Sequence, residues 1–436
     1  MEGHSARAAG PGVPGAVDLT AVSELQGEAV GASRGTELLL RFAREGHKAG
    51  YPTAGLEQRV HVLADAFGVE EAQISVTPTL IDLSVGSLDE QRSFTLRVRP
   101  SSVDLDRIAA LDDLVRGVVE GRLDLPAALT ALTDMRPMAL RRPWPVVLAA
   151  YALAGAAVTP VLGGGARECA AAAGVGLLVG IVALATRGIV SFEPVAAPIA
   201  AVVASFTSTA LAQAGADAKP DLVTLAALVT FLPGMTLTIG MRELATGHLQ
   251  SGVANMASAL VQLLGLAFGV EVGRSIALNW FGPVSQIAPD AVLEAWHVVA
   301  AIAAGLAFTV TLRARYRDAW AMATAAVVAL LAHEVGEALF GPQAAALVAA
   351  LAIGVAGNLA GARLRRSPLV FVVPGVLMLV PGSTGYNSVL KLVTDQSISG
   401  IQAGFDTFVA AISIAYGLML STIVLPRRLT GVDAYE

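Results

Sequence analysis

From Trp144 onward the chain is a succession of long runs of Ala, Val, Leu, Ile and Gly separated by short polar connections. A soluble core has no room for many helices that are apolar on every side, whereas a bilayer solvates them all. Ten such segments can be read, near residues 144–162, 168–186, 194–213, 220–235, 253–273, 293–312, 318–335, 343–361, 368–381 and 401–424. Most approach the roughly 20 residues that cross the hydrocarbon layer. Hydrophobic residues make up 55% of the chain and charged residues only 15%. The charges gather before residue 143 and in the connections. The pattern predicts a mainly α protein, a ten-span transmembrane helical bundle preceded by a small α+β domain.

The first 142 residues have the texture of a water-soluble protein. Residues 1–32 hold no apolar core segment, so they are not expected to be a signal peptide and read as a flexible tail. The α+β domain is expected over 33–142. Helical spacing covers 36–49, breaks at Gly50-Tyr51-Pro52, and resumes over about 53–67. Residues 72–86 read as strand with a turn at Pro78, and the alternation of 92–99 supplies a partner strand. Two more helices are expected, near 103–120 and 125–136, the first capped by Ser102 or Asp104.

The composition also excludes function classes. A net charge of −6 argues against a nucleic-acid partner. The single cysteine, Cys169, can form neither an internal disulfide nor a zinc site. No nucleophile elbow, Walker loop or metal-ligand spacing is present, so neither an enzyme nor a cofactor site is expected. His47 and His61 are isolated and read as packing residues. Thr77, Thr79 and Asp82 interrupt an apolar strand run.

The fourth and ninth apolar segments are short and end at Pro233-Gly234 and Pro374-Gly375. Proline has no N–H, so helix carbonyls are freed there. Within a membrane such backbone must be covered by protein or line a polar cavity. The two breaks lie in similar settings, residues 231–270 and 372–417. Leu244, Thr246, Ser251 and Gly252 pair with Leu392, Thr394, Ser399 and Gly400. Pairing Pro233-Gly234 with Pro374-Gly375 as well requires an insertion of about seven residues in the second copy. Five spans per copy, over 143–276 and 289–426, is an odd number, so the two five-helix repeats would be inverted. That architecture supports alternating access in many secondary transporters, and interrupted helices at matching positions point to the substrate site.

Basic residues give the orientation. With both termini on one side, that side holds Arg141, Arg142, Arg187, Arg242, Arg313, Arg315, Arg317, Arg363, Arg365, Arg366, Arg427 and Arg428. The other holds Arg167, Lys219, Arg274 and Lys391. The asymmetry predicts a multi-pass protein of the inner (plasma) membrane with both termini and the α+β domain in the cytoplasm.

The soluble part holds Gly50-Tyr51-Pro52-Thr53, Val76-Thr77-Pro78-Thr79, and Arg97-Val98-Arg99-Pro100 followed by Val103-Asp104-Leu105-Asp106-Arg107. The apolar part holds Leu232-Pro233-Gly234, Arg242-Glu243-Leu244 with Gly247, and Ser251-Gly252. In these motifs and their order the chain resembles the threonine/serine exporter family (ThrE type). The resemblance covers about residues 33–425. It implies export of threonine and serine driven by the proton motive force, with no metal or organic cofactor. One departure stands out. An acidic residue is expected soon after each Ser-Gly pair. The second half supplies Asp406, but the first has Ser258, with Asn255 one turn earlier.

Charged residues within a span are costly and point to function. Asp406 is the foremost candidate, for proton or substrate coupling or for a hydrogen bond to a neighbouring helix. Arg242 and Glu243 follow the first break; Lys391 and Asp395 follow the second. A zwitterionic substrate needs donors for its carboxylate, which helix amino termini at broken helices can provide, and an acceptor for its ammonium, such as Asp406 or Glu243. Thr236, Thr238, Ser383, Thr384, Tyr386 and Asn387 could bond a substrate hydroxyl. His333 with Glu337, Glu271 with Arg274, and His297 read as groups at helix ends. Gly174, Gly176, Gly180, Gly354, Gly357 and Gly361 permit close helix packing within or between subunits, so a homo-oligomer is possible. Two rival functions fit the same residues: a transporter of another small amino acid or carboxylate, and a membrane sensor with a soluble ligand-binding domain.

Overall fold

The computed structural model describes residues 19–87, 89–98, 103–135, 142–187, 189, 192–283, 295–379, 381–394 and 397–425. Residues 1–18 of the expected tail, and Ser102, Arg141, Asp395, Arg427 and Arg428, lie outside them.

Helix α1 spans Leu19–Lys48, so residues 19–32 are helical rather than a tail. It is followed by α2 (Thr53–Ala66), strands β1 (Gln73–Val76), β2 (Leu80–Val85) and β3 (Arg92–Arg97), and helices α3 (Leu105–Val119) and α4 (Leu125–Asp134). The strands form an antiparallel sheet in the order β1-β2-β3. Alternation along β2 sends Ile81, Leu83 and Val85 into the core. Asp82 turns to the other face, where it accepts from Thr95 Oγ1 at 2.7 Å. Thr77 closes the β1–β2 turn, its N–H donating to the Leu80 carbonyl. Asp104 caps α3 by accepting from the Arg107 N–H at 3.1 Å, and Asp124 caps α4 through Ala127. At the centre, Asp112 receives the Tyr51 hydroxyl at 2.8 Å and Arg59 Nε at 2.5 Å. This buried pair ties the Gly50-Tyr51-Pro52 corner to α3.

The rest of the chain is helical. One set comprises α5 (Trp144–Val158), α6 (Ala166–Ala185), α7 (Ala196–Gln213), α8 (Pro220–Ala227), α9 (Gly234–Ala245) and α10 (Leu249–Phe281). The second comprises α11 (Ala295–Thr311), α12 (Ala319–Phe340), α13 (Pro342–Leu364), α14 (Leu369–Leu379), α15 (Pro381–Val393) and α16 (Ser397–Val424). Among the described residues eight helices are long and apolar enough to cross a membrane, Leu369–Leu392 counting as one. The α8–α9 pair, bent by 51°, would be a ninth, and Trp296–Thr311 of α11 is a shorter apolar helix. Trp144, Trp280, Trp296 and Trp320 are all exposed near helix ends, where amphipathic rings anchor a protein at the bilayer interface. The chain is a multi-pass membrane protein.

From Pro220 onward the first helix set matches the second without a gap. Pro220 corresponds to Pro368, Pro233-Gly234 to Pro381-Gly382, Leu244 to Leu392 and Gly252 to Gly400. A Cβ on Gly252 would lie 2.8 Å from the backbone N of Leu244, and one on Gly400 would lie 3.0 Å from that of Leu392. The same close approach therefore packs α9 on α10 and α15 on α16. This register corrects the pairing with Pro374-Gly375. That dipeptide lies inside α14, where Gly375 faces Ile353 of α13; the second interruption is at Pro381-Gly382. The two interruptions touch, since a Cβ on Gly382 would come within 2.9 Å of Leu232 Cβ and 3.1 Å of the Gly234 N. The small residues of the other helices pack within the chain. Gly176 and Gly180 face Tyr151 of α5, Gly354 faces Ser421 of α16, and Gly357 and Gly361 face Pro368; a Cβ on Gly174 would meet nothing within 4 Å.

The α+β domain docks on both helix sets at one end of the bundle. Ser251 Oγ of α10 donates to the Val76 carbonyl at 2.8 Å, and His248 lies 3.3 Å from Glu57. On the second set, Arg315 reaches Asp106 at 2.6 Å and Asp113 at 2.9 Å. The N–H groups of Leu105 and Asp106 donate to the carbonyls of Leu312 and Arg313, and Arg116 donates to the Arg365 carbonyl.

A side chain at either of these two crossings must push two helices apart, at a cost of about 1–3 kcal/mol. Gly252→Val and Gly400→Val are each expected to lower the thermal unfolding midpoint of the detergent-extracted protein, measured by intrinsic fluorescence. Gly174→Val is expected to leave it unchanged.

Candidate functional site

The break between α8 and α9 is built by a single turn of 3-10 helix at Val229–Phe231, followed by Leu232 in extended conformation and Pro233. The Phe231 carbonyl accepts from Gln262 Nε2 of α10 at 2.8 Å, which satisfies freed backbone in the way a membrane interior demands. Against this break lies a cavity of about 970 Å³, at the upper end of the range for small-molecule sites. Thr230, Pro233 and Thr236 line it at the break, and Asn255, Ser258 and Gln262 on α10. The α+β domain closes one side with His47, Tyr51, Pro52, Thr53, Thr77 and Pro78. Tyr151 of α5, Arg187 after α6, Thr311 and Arg313 at the end of α11, and Val373 and Leu377 of α14 complete the wall.

Several polar atoms of this wall are buried without a partner among the described residues: His47 Nδ1, Arg142 Nε and Thr311 Oγ1. Buried polar groups are normally paired, and these three are the exceptions that lie around this cavity together with Thr230 Oγ1. The charges are one-sided. Arg142, Arg187 and Arg313 line the cavity, and no Asp or Glu does among the described residues. Arg313 lies 3.8 Å from Asp104. Arg142 donates to the carbonyls of Thr309 and Ala314 and stacks on Tyr316 at 4.8 Å. The Arg187 guanidinium has no hydrogen-bonding or ion-pair partner among the described residues. Burial, then the field of Arg313, pushes its pKa down, but a guanidinium stays protonated in proteins.

A smaller recess adjoins the cavity, lined by Thr53, Thr238, Arg242 and Glu243. Glu243 is buried and accepts from Asn255 Nδ2 at 2.6 Å. Its other oxygen, Oε1, is buried without a hydrogen-bond partner among the described residues. Thr53, at the start of α2, lines the same recess, so Glu243 of the helix bundle lies where the α+β domain meets it.

The structure gathers some of the expected site residues and separates others. Pro233 and Thr236 line the cavity, Arg242 and Glu243 line the recess, and Gly234 sits at the contact with Gly382. Pro374 and Gly375 are buried in α14 between the wall residues Val373 and Leu377. Thr384, Asn387 and Lys391 of α15 are not at the cavity. Asp406 is exposed on α16 beside the exposed Phe405 and Ile401, and its side chain makes no hydrogen bond to a neighbouring helix among the described residues. His333 and Glu337 lie 3.9 Å apart, as do His297 and Glu334, all on partly exposed surface. Arg274 approaches Asp221 at 4.0 Å. Sequence reasoning missed the arginine wall, which counts only toward orientation in the sequence, and His47, whose one signal is its place just before the Gly50-Tyr51-Pro52 motif.

Two family models match the chain: one described as "Putative threonine/serine exporter" over residues 37–277 and one described as "Threonine/Serine exporter, ThrE" over residues 295–424. Among curated relatives, the "Threonine/serine exporter" of Corynebacterium glutamicum is 24% identical over 97% of this chain and 88% of its own length. The "Probable threonine/serine exporter" of Mycobacterium tuberculosis is 27% identical over 88% of this chain and 75% of its own. The "Pheromone-regulated membrane protein 10" of Candida albicans is 24% identical over 78% of this chain but 32% of its own length. No solved structure matches the chain.

The cavity wall makes a prediction about pH. Burial pushes the His47 imidazole below its ordinary 6.5, against the opposing bonds to the backbone of Thr77 and Pro78. The fold therefore accommodates the neutral ring. That contribution is fully present above pH 6.5 and is lost as pH falls below it, because the unfolded chain takes up the proton first. Between pH 7.5 and 5.5 the unfolding midpoint of the wild-type protein is expected to fall further than that of His47→Gln, measured side by side in detergent.

Proposed function

The chain belongs to the threonine/serine exporter family, and we propose that it exports small hydroxylated amino acids, threonine and serine, from the cytoplasm by secondary active transport driven by the proton motive force. The observation that carries this reading is the large cavity at the interrupted α8–α9 helix, with unpartnered polar atoms in its wall and a soluble domain over one side. A largely apolar chamber with a few polar and cationic groups, at a helix break, is what a transporter needs at its binding site. We take it as the cytoplasm-facing state.

The docking contacts support a particular threading. The α9–α10, α11–α12 and α13–α14 connections all meet the α+β domain, through His248, Leu312 and Arg365 respectively. The contacts Arg167–Asp217 and Asp221–Arg274 join residues from connections and helix ends outside the docked interface. On this reading α8 and α9 together cross once, the chain crosses ten times, and the gapless repeat is inverted. The basic residues then place the docked domain and both termini in the cytoplasm and the bundle in the inner membrane. Inversion puts the α15–α16 hairpin, with Thr384, Asn387, Lys391 and Asp406, at the far side, where it would serve the outward-facing state. Glu243 at one end and Asp406 at the other are the candidate proton-coupling carboxylates.

The test is efflux of threonine from cells loaded with a threonine-containing dipeptide. Expression of the protein is expected to accelerate efflux, and a protonophore to abolish the gain. Asp406→Asn, at equal membrane abundance, is expected to slow efflux at least ten-fold. Unchanged threonine and serine efflux at verified expression would overturn the substrate assignment.

A further inference from the structure

The charge of the cavity says how its occupant is held. Three guanidiniums share one region of the wall: the fields of Arg313 and Arg142 repel Arg187, and that of Asp104, which sits beside Arg313, attracts it from a distance. Two of the three are already engaged, Arg313 near Asp104 at 3.8 Å and Arg142 with two backbone carbonyls. Arg187 follows the end of α6, so the carbonyl end of that helix offsets part of its charge. Neither the helix end nor Asp104 gives Arg187 a direct partner among the described residues. A partly buried guanidinium left without a hydrogen-bonded counter-charge gains by the arrival of an anion. The cavity provides room for one.

We propose that Arg187 is the anchor for the carboxylate of the transported solute, in a site that selects first for an organic acid and only second for an amino group. A guanidinium binds a carboxylate through two parallel N–H···O bonds, which fixes orientation as well as charge. The remainder of the solute meets hydroxyls and amides, including Thr236, Ser258 and Gln262, which also line the cavity. No lining carboxylate among the described residues waits for an ammonium. A hydroxy acid without an amino group is therefore expected to bind the same place. The inference rests on the exporter reading only in taking this cavity for the substrate site.

The experiment is equilibrium binding to the full-length protein in neutral detergent, read as ligand-induced stabilisation, with L-threonine, 3-hydroxybutyrate and L-threoninamide as probes. Both carboxylates are expected to stabilise the wild-type protein, and the amide is not. Arg187→Gln is expected to weaken both carboxylates at least ten-fold. Arg187→Lys, which keeps the charge but not the fork, is expected to fall between, and it carries the test if the glutamine variant does not fold. Arg167→Gln, at a residue outside the cavity wall, is expected to bind like the wild type. Equal binding of amide and acid, unchanged binding in Arg187→Gln, or no carboxylate binding by folded protein would overturn the proposal. Stabilisation by phosphatidylglycerol alone, lost in Arg187→Gln, would overturn it too, by giving the guanidinium to a lipid headgroup. Carboxylate binding through Arg187 without threonine efflux would retain this site and reject the exporter assignment.

Discussion

The contact between two interrupted helices, Leu232-Pro233-Gly234 against Gly382, is the constraint on which the rest of the bundle depends. Backbone this close tolerates no side chain, and glycine stands on both sides. An interruption in a membrane exposes peptide groups that lipid cannot satisfy. Here one is met by Gln262, and the other helix closes over the remainder. Because α8 and α9 meet at 51°, they cannot fill the space that a straight helix would occupy. The cavity lies in that deficit.

The α+β domain is held to the bundle both by a continuous apolar core that runs from its helices into α11–α14 and by polar bonds at its edges. Ser251, Arg315 and Arg116 each bridge the two parts through a hydrogen bond or ion pair. Such contacts are directional and individually modest, and they fix the geometry that the apolar contact alone would leave loose. The domain touches both helix sets, and any rearrangement of one set against the other must break or carry some of these bonds. Thr53 of the domain and Asn255 of α10 are both wall residues of the cavity.

Much of this was legible in the sequence. The apolar runs announce the helices because a bilayer imposes a length and a composition. The hairpin at Pro78 and the Asp104 cap of α3 follow from local turn chemistry. The repeat was legible as well, but its register slipped at Pro374-Gly375, where a local Pro-Gly match outweighed the gapless alignment. The Leu244–Gly252 and Leu392–Gly400 pairs settle the register because they are the contacts, and Pro381-Gly382 follows from them. Side-chain facing was not legible. In a soluble helix the apolar stripe marks the core, but in a membrane the lipid face is apolar too. Nothing in the sequence around Asp406 could therefore say that it faces outward beside Phe405. The arginine wall was hidden for a similar reason. Arg187 and Arg313 sit where basic residues gather in any membrane protein, and only the cavity distinguishes a ligand-facing guanidinium from a topological one.

The gapless register also shows that the backbone repeats while its chemistry does not. Glu243 of the first hairpin corresponds to Lys391 of the second, Arg242 to Leu390, and Ser258 to Asp406. In the first hairpin the carboxylate is on the short helix, buried and bonded to Asn255 of the long one. In the second a cation takes that place, and the carboxylate moves to the long helix, where it is exposed. The first hairpin therefore sets a buried carboxylate beside a cationic chamber, and the second sets a half-buried lysine and an exposed carboxylate on its two helices. The difference arises from side chains laid on one repeated backbone.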